Sequence, residues 1–404
     1  MWAAAAAHTL ATMTAPVQER PVDTARPPFY RNVKFLTWAF QVVVFFIVLA
    51  ILLWLWTNYL TNTAESGIPT SFDFLSNPTS FDIPGADFSE TESVRNAYVV
   101  GLLNTIRISV VGIILATVLG ILIGIGRLSQ NWIVRKLCTV YIEAIRNIPL
   151  LLIMTFTFLG LILQILPRIQ DAWAPLGWFV ISNRGIGVPW YEDTSGWSLF
   201  LLFIVGLVGW WLLARWRQSV ADRTGRPSHS LLIGGGFFLL VLVGGWFILG
   251  AALSVPMIDG LQIAGGIRVD PSYFAVLVAL VIYTASHIAE ITRGSIQAVP
   301  KGQGEAATAL ALSGYQRMTK VILPQAMRIA IPPLGNQYLN LIKNSSLGAA
   351  FSYFELTNIT QITVGNGSPA VPAFTLALAF YIVLSLITSF FVNVANRRFK
   401  LVER

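Results

Sequence analysis

The chain has 404 residues, of which 55% are hydrophobic and only 11% charged, and it carries a net charge of +8. Soluble globular proteins hold roughly 25% charged residues, so this composition excludes an ordinary soluble domain. The apolar runs are continuous rather than alternating, which excludes a β-barrel and leaves an all-α polytopic membrane protein.

Residues 1–34 are Ala-rich and then polar, with Pro16, Pro21, Pro27 and Pro28, and they read as disordered. The first apolar run, near 36–60, starts too late and runs too long for a signal h-region, so it reads as a retained helix. It shares the stretch 35–98 with an acidic, turn-rich loop holding Asp73, Asp82, Asp87, Glu90 and Glu92. Further spans of roughly 20 residues are predicted near 99–127, 149–166, 198–214, 231–254, 271–292, 329–353 and 372–395, about eight in all. Every second loop is basic. Arg31 and Lys34 precede the first span, and Arg127, Arg135 and Lys136 follow the second. Arg215, Arg217, Arg223 and Arg226 separate the fourth and fifth, and Lys301, Arg317, Lys320 and Arg328 follow the sixth. Arg397, Arg398, Lys400 and Arg404 close the chain. The positive-inside bias then puts both termini in the cytoplasm and explains the net charge without nucleic acid. The loop 167–197, with Trp173, Trp178, Trp190 and Trp197, suits the outer interface. Cys138 has no disulfide partner and reads as a small buried apolar residue.

The loop after the sixth span is soluble in character. Pro300, Gly302 and Gly304 are expected to break structure, and Glu305 to open an Ala-rich helix on the positive end of its dipole. Ala306, Ala307, Ala309 and Ala311 keep that helix thin. Ser313, before Gly314, can cap a second short helix that stops before Pro324. The pattern fits a hairpin that docks in a partner's groove, or an ordinary amphipathic loop helix.

Polar residues inside spans are the candidates for a substrate path. Arg107 can attract a carboxylate or snorkel to the interface. Asn104, Thr105 and the run Lys343, Asn344, Ser345 and Ser346 can line a pathway or make interhelical contacts. His287 and Glu290, three apart, suit helix-end polar contacts better than metal, so no metal site is assigned. Glu143 and Arg146 can pair at i,i+3. No catalytic constellation is present, so the chain does not read as an enzyme.

Glu305-Ala306-Ala307, with Leu323-Pro324, resembles the EAA motif of ABC importer permeases. Ala311 stands where that family prefers Gly, and Val321 where it prefers Ile. The run Gln325-Ala326-Met327-Arg328, then Pro332-Pro333-Leu334, Asn336-Gln337 and Lys343 to Leu347, is similar to the polar amino-acid branch of histidine/glutamine-type permeases. So are Gly101 to Thr105, Arg127-Leu128-Ser129, Tyr141-Ile142-Glu143 and Arg146 to Leu151.

The resemblance implies a type I permease core of about five helices, formed by 99–167 and 269–404. Added to it are the first helix and an inserted segment, 168–268, holding a periplasmic loop and a helical hairpin. That layout looks like the enlarged permeases of general L-amino-acid and glutamate/glutamine/aspartate/asparagine importers, which pair with a second permease. The resemblance makes 304–323 the contact for an ABC ATPase dimer and adds an extracytoplasmic amino-acid-binding protein. It places the chain in a bacterial inner membrane. No Gly-x4-Gly-Lys-Ser/Thr loop occurs, so ATP and Mg belong on the partner. Leu312 to Gln316 resembles an ATPase signature, but Tyr315 replaces the glycine that would bring backbone near phosphate. The alternative is a secondary transporter or channel without an ATPase, which predicts inverted repeats; none is visible.

Overall fold

The computed structural model describes residues 32–84, 88–191, 196–224, 229–249 and 253–399. The expected disordered N-terminal stretch up to residue 31, together with Asp87, Arg226, Lys400 and Arg404, lies outside them. The chain divides into two compact units, Met1–Thr70 and Ser71–Arg404. The first holds helix α1 (Val33–Glu65), none of whose residues is buried.

The second unit begins with α2 (Val94–Gly126), capped by Ser93. Asn131 caps α3 (Trp132–Arg146), an amphipathic helix within the expected cytoplasmic loop. Pro149 then starts α4 (Leu150–Thr155), which widens into π-type turns over Phe156–Ile165. After strands β1 (Val180–Ser182), β2 (Gly185–Val188) and β3 (Trp190–Tyr191) come α5 (Gly196–Thr224) and α6 (Ser230–Leu249). Strands β4 (Leu253–Ser254), β5 (Met257–Asp259), β6 (Gln262–Ala264) and β7 (Ile267–Val269) lead back. Asp270 caps α7 (Pro271–Gln297), with Pro271 at the first-turn position where a missing N–H costs nothing. The rest is α8 (Lys301–Ala309), α9 (Gly314–Gln316), α10 (Leu323–Asn344), α11 (Leu356–Gly365) and α12 (Ala370–Phe399).

Among the described residues, four helices are long and apolar enough to cross a membrane: α1, α2, α7 and α12. A fifth crossing follows if α3 and Leu150–Ile165, bent by 105° at their junction, count as one span. The inserted segment is more than a hairpin. Strands β1, β2 and β7 form an antiparallel sheet in the order β1-β2-β7, β5 pairs with β6, and β3 pairs with β4. Because β3 enters α5 and β4 leaves α6, their pairing closes the base of the helical hairpin.

The core is set by α2 against α7. Gly112, Ala116, Gly120 and Gly124 recur every fourth residue of α2, on one buried face. A Cβ at Gly120 would lie 2.6 Å from Ile288 Cβ, and one at Gly124 would lie 2.6 Å from the Ala289 carbonyl oxygen. Small residues let two backbones approach where lipid offers no hydrophobic push between helices. Ile108, Val276, Leu280, Ala285 and Ile288 are fully buried around this seam. Gly124→Leu is expected to lower stability by about 1–3 kcal/mol through overpacking, read as a lower thermal midpoint in detergent. Gly235→Ala, inside α6 where nothing lies within 4 Å of the added Cβ, is expected to leave the midpoint no lower, since alanine is the better helix former.

Candidate functional site: the hairpin after α7

The loop after α7 is helical almost throughout. Pro300 is the N-cap of α8, so the helix starts at Lys301, and Gly302 and Gly304 lie inside it. Glu305 therefore sits in the second turn rather than opening the helix. The dipole effect fades beyond the first turn, so the Glu305 carboxylate serves the surface more than the helix. Ala307 is buried, while Glu305, Ala306 and Ala309 are exposed.

The helix ends in a Schellman turn. The Leu312 N–H donates to the Ala307 carbonyl at 3.1 Å and the Ala311 N–H to the Thr308 carbonyl at 2.9 Å. This places Ala311 at φ +53°, in the left-handed region. The preference for glycine at that position is thus a backbone requirement, and the alanine costs about 1–2 kcal/mol there. Ser313 then caps α9 with a reciprocal capping box. Its side chain accepts from the Gln316 N–H at 3.3 Å, and its own N–H donates to the Gln316 side chain at 3.0 Å.

The second helix does not stop at Pro324. It runs from α9 through π-type turns over Arg317–Ile322 directly into α10, where Pro324 sits at the first-turn position. The widened turns change the local bonding pattern just where proline lacks an N–H. Two side-chain bonds close the hairpin: Arg317 to the Thr308 hydroxyl at 3.1 Å, and the Gln325 amide to Gln303 Oε1 at 3.1 Å. At its tip, Leu310 is 75% and Tyr315 78% exposed. A Cβ at Gly304 or Gly314 would meet no atom of the chain within 4 Å. The hairpin therefore offers a thin, apolar-tipped surface joined without a loop to a core helix.

The polar candidates fall in separate places. Thr105 is buried, bonding the Gly101 carbonyl and accepting from the Leu356 N–H at 3.1 Å. Asn104 donates to the Phe354 carbonyl at 2.8 Å. Both tie α2 to the reversal before α11. Arg107 stacks over Tyr273, 5.0 Å from the ring centroid. Ser345 is buried on the Ile342 carbonyl, and Asn344 precedes the 3-10 turns over Ser345–Phe351. Lys343 and Ser346 face a cavity of about 470 Å³ between α10 and α12, lined also by Tyr381, Ser385 and Ser389.

The sequence profile described as "Binding-protein-dependent transport system inner membrane component" matches residues 116–401. The chain belongs to this family. It is 38% identical to the general L-amino acid transport system permease protein AapQ of Rhizobium johnstonii over 385 residues, covering 93% of this chain and 94% of that one. It is also 38% identical to the putative amino-acid ABC transporter permease protein YhdX of Escherichia coli, covering 93% and 97% of the two chains. Identity to the glutamate/glutamine/aspartate/asparagine transport system permease protein BztB of Rhodobacter capsulatus is 36%, over 92% and 96%.

In this member of the family, an ion cluster braces the helix ends nearest the hairpin. Arg127, the C-cap of α2, donates to Glu290 at 2.6 Å and to Glu143 at 3.2 Å, and Arg293 also donates to Glu290. Glu143 therefore pairs across to α2 rather than with Arg146, and Glu290 is held by Arg127 and Arg293. His287 Nδ1 lies 3.1 Å from the Tyr283 carbonyl oxygen. No group of residues suited to a metal occurs among the described residues.

Sequence reading gave Leu310 and Tyr315 no part in docking, because single exposed apolar residues look unremarkable until the turn puts both at one tip. It also passed over Glu355. This buried carboxylate caps α11 through the Asn358 N–H at 2.8 Å and accepts from the Tyr381 hydroxyl at 2.6 Å. It thereby orients a side chain that lines the Lys343 cavity. Ala311→Gly is expected to strengthen the hairpin by about 1 kcal/mol. Hydrogen exchange at the Ala311 and Leu312 amides should slow by about fivefold, and unchanged exchange would contradict the strained turn.

Proposed function

We propose that this chain is the permease subunit of an ATP-driven importer for polar L-amino acids. The observation that carries the reading is the apolar-tipped hairpin at 304–323, which continues unbroken into α10. Family membership and the amino-acid transport names of the relatives support the cargo. In this reading the chain crosses a bacterial inner membrane about eight times, in a type I arrangement with both termini cytoplasmic. The spans then include α5, α6 and α10, the helix that carries Pro332 and Pro333, as well as the longer apolar helices.

A separate ABC ATPase dimer binds ATP and Mg and grips Glu305, Ala306, Leu310 and Tyr315. Gly304, Ala307, Ala311, Ser313 and Gly314 shape that contact. A second, related permease completes the path, and an extracytoplasmic amino-acid-binding protein delivers cargo. ATPase closure favours one arrangement of the hairpin, and only such differential binding can shift a two-state equilibrium. Lys343 and Ser346, at the α10–α12 cavity, give the moving path a cation and a hydroxyl for a polar cargo. A secondary transporter has no need of the hairpin, and no observation favours it.

The test is co-purification of the ATPase with the tagged chain. Leu310→Ser with Tyr315→Ser, and separately Glu305→Lys, are expected to weaken ATPase retention by about thirtyfold, as loss of interface hot spots does. Retention equal to the unaltered chain would overturn the coupling role.

A further inference from the structure

At the end of α7 away from the hairpin, a polar cavity of about 60 Å³ opens beside the inserted sheet. Helix α7 has 27 residues, so roughly 40 Å separates this cavity from the hairpin. Arg107 comes from α2, Arg268 from β7, Asp270 and Tyr273 from the start of α7, and Ser352 and Tyr353 from the reversal before α11.

These groups are held in place by one another and by the surrounding backbone. The Tyr273 ring supports the Arg107 guanidinium, which makes no ion pair among the described residues. Arg268 donates to the Arg184 carbonyl at 3.0 Å, which fixes it to the turn between β1 and β2. The Tyr353 hydroxyl donates to the Asn104 carbonyl at 2.9 Å. Asp270 spends Oδ1 on the Ser272 and Tyr273 N–H groups and leaves Oδ2 without a hydrogen bond among the described residues. Ser352 holds φ +56°, a left-handed conformation uncommon for a residue other than glycine. Such outliers concentrate at ligand clamps.

Two guanidinium groups and one half-engaged carboxylate thus converge on a small space. Water-sized groups need about 10–15 Å³ each by this measure, so the cavity holds about four to six of them. An amino-acid head group, with its nitrogen, Cα and carboxylate, has that size. A whole side chain does not fit as well.

We infer that this cavity binds the zwitterionic head group of a free α-amino acid. Arg107 and Arg268 take the carboxylate, Asp270 takes the ammonium, and the side chain remains in the opening. The inference rests on the amino-acid reading above and deepens it in two ways. It gives the inserted segment a role, because Arg268 and its anchor Arg184 both belong to it. It also makes recognition at this cavity depend on the head group and little on the side chain.

The test is calorimetric titration of the full chain in lipid nanodiscs. L-glutamine and L-leucine are expected to bind with similar affinity, while N-acetyl-L-glutamine and L-glutamine methyl ester bind about tenfold more weakly. Arg268→Gln is expected to weaken both amino acids by about tenfold, and Arg268→Lys to recover part of the loss. No binding up to about 10 mM, equal binding of the blocked analogues, or affinity unchanged in Arg268→Gln would each overturn the inference.

A second measurement guards against a variant that fails to fold. In a Cys138→Ser background, maleimide labelling of Ser352→Cys should slow with L-glutamine and not with its N-acetyl form; equal rates overturn the inference. Neither measurement needs an ATPase. Amino-acid binding by a chain that retains no ATPase would sink the importer reading and leave the pocket standing.

Discussion

The close approach of α2 to α7 is the constraint on which the other features depend. Two backbones meet there because Gly112, Ala116, Gly120 and Gly124 remove side chains from the contact. A side chain at Gly120 or Gly124 would have to occupy space that Ile288 and the Ala289 carbonyl already fill. Dispersion between close-packed atoms is weak per pair and large in sum, and in lipid it has to do much of what hydrophobic burial does in water. The seam also sets the register of both helix ends. At one end it brings Arg107 over Tyr273. At the other it brings Arg127 to Glu290.

That second end is where the molecule meets its hairpin. Glu290 is gripped by Arg127 and Arg293, and Arg127 also reaches Glu143 on α3. Three helix ends are joined by shared charges. Glu143 is 64% exposed, so its share of the cluster is the weaker one, as exposed pairs contribute little. Beyond this brace, α8 folds back through a strained turn, and the chain re-enters the core along α10 with no intervening loop. The hairpin is consequently an extension of α10. A push on Leu310 or Tyr315 bears on the helix that carries Lys343.

Much of this was legible in the sequence. The apolar runs and the polar break between them located the hairpin, and the capping role of Ser313 followed from its place before Gly314. The Gly-x3-Ala-x3-Gly-x3-Gly stripe of α2 was present to be read as well. Local rules failed in specific ways. Pro300 starts α8 rather than breaking structure, so the helix begins a turn before Glu305. Pro324 was expected to end a helix, but the π-type turns before it let the helix continue. Ala311 was judged by size, whereas its backbone angle decides the cost. Arg107 was open to reading as a carboxylate partner, but the cavity around it was not, since its residues come from four separate segments spread over 84–354.

The central claim is that the hairpin and α10 move as one body. Paired spin labels at Lys320→Cys and Ile329→Cys, in a Cys138→Ser background, measure it directly in the assembled importer. The two sites are about 14 Å apart along the helix axis. The account predicts the same 320–329 distance with and without ATP, while the distance from Lys320→Cys to a label at Val134→Cys on α3 changes. A 320–329 distance that shifts with ATP while the 320–134 distance stays fixed would contradict it.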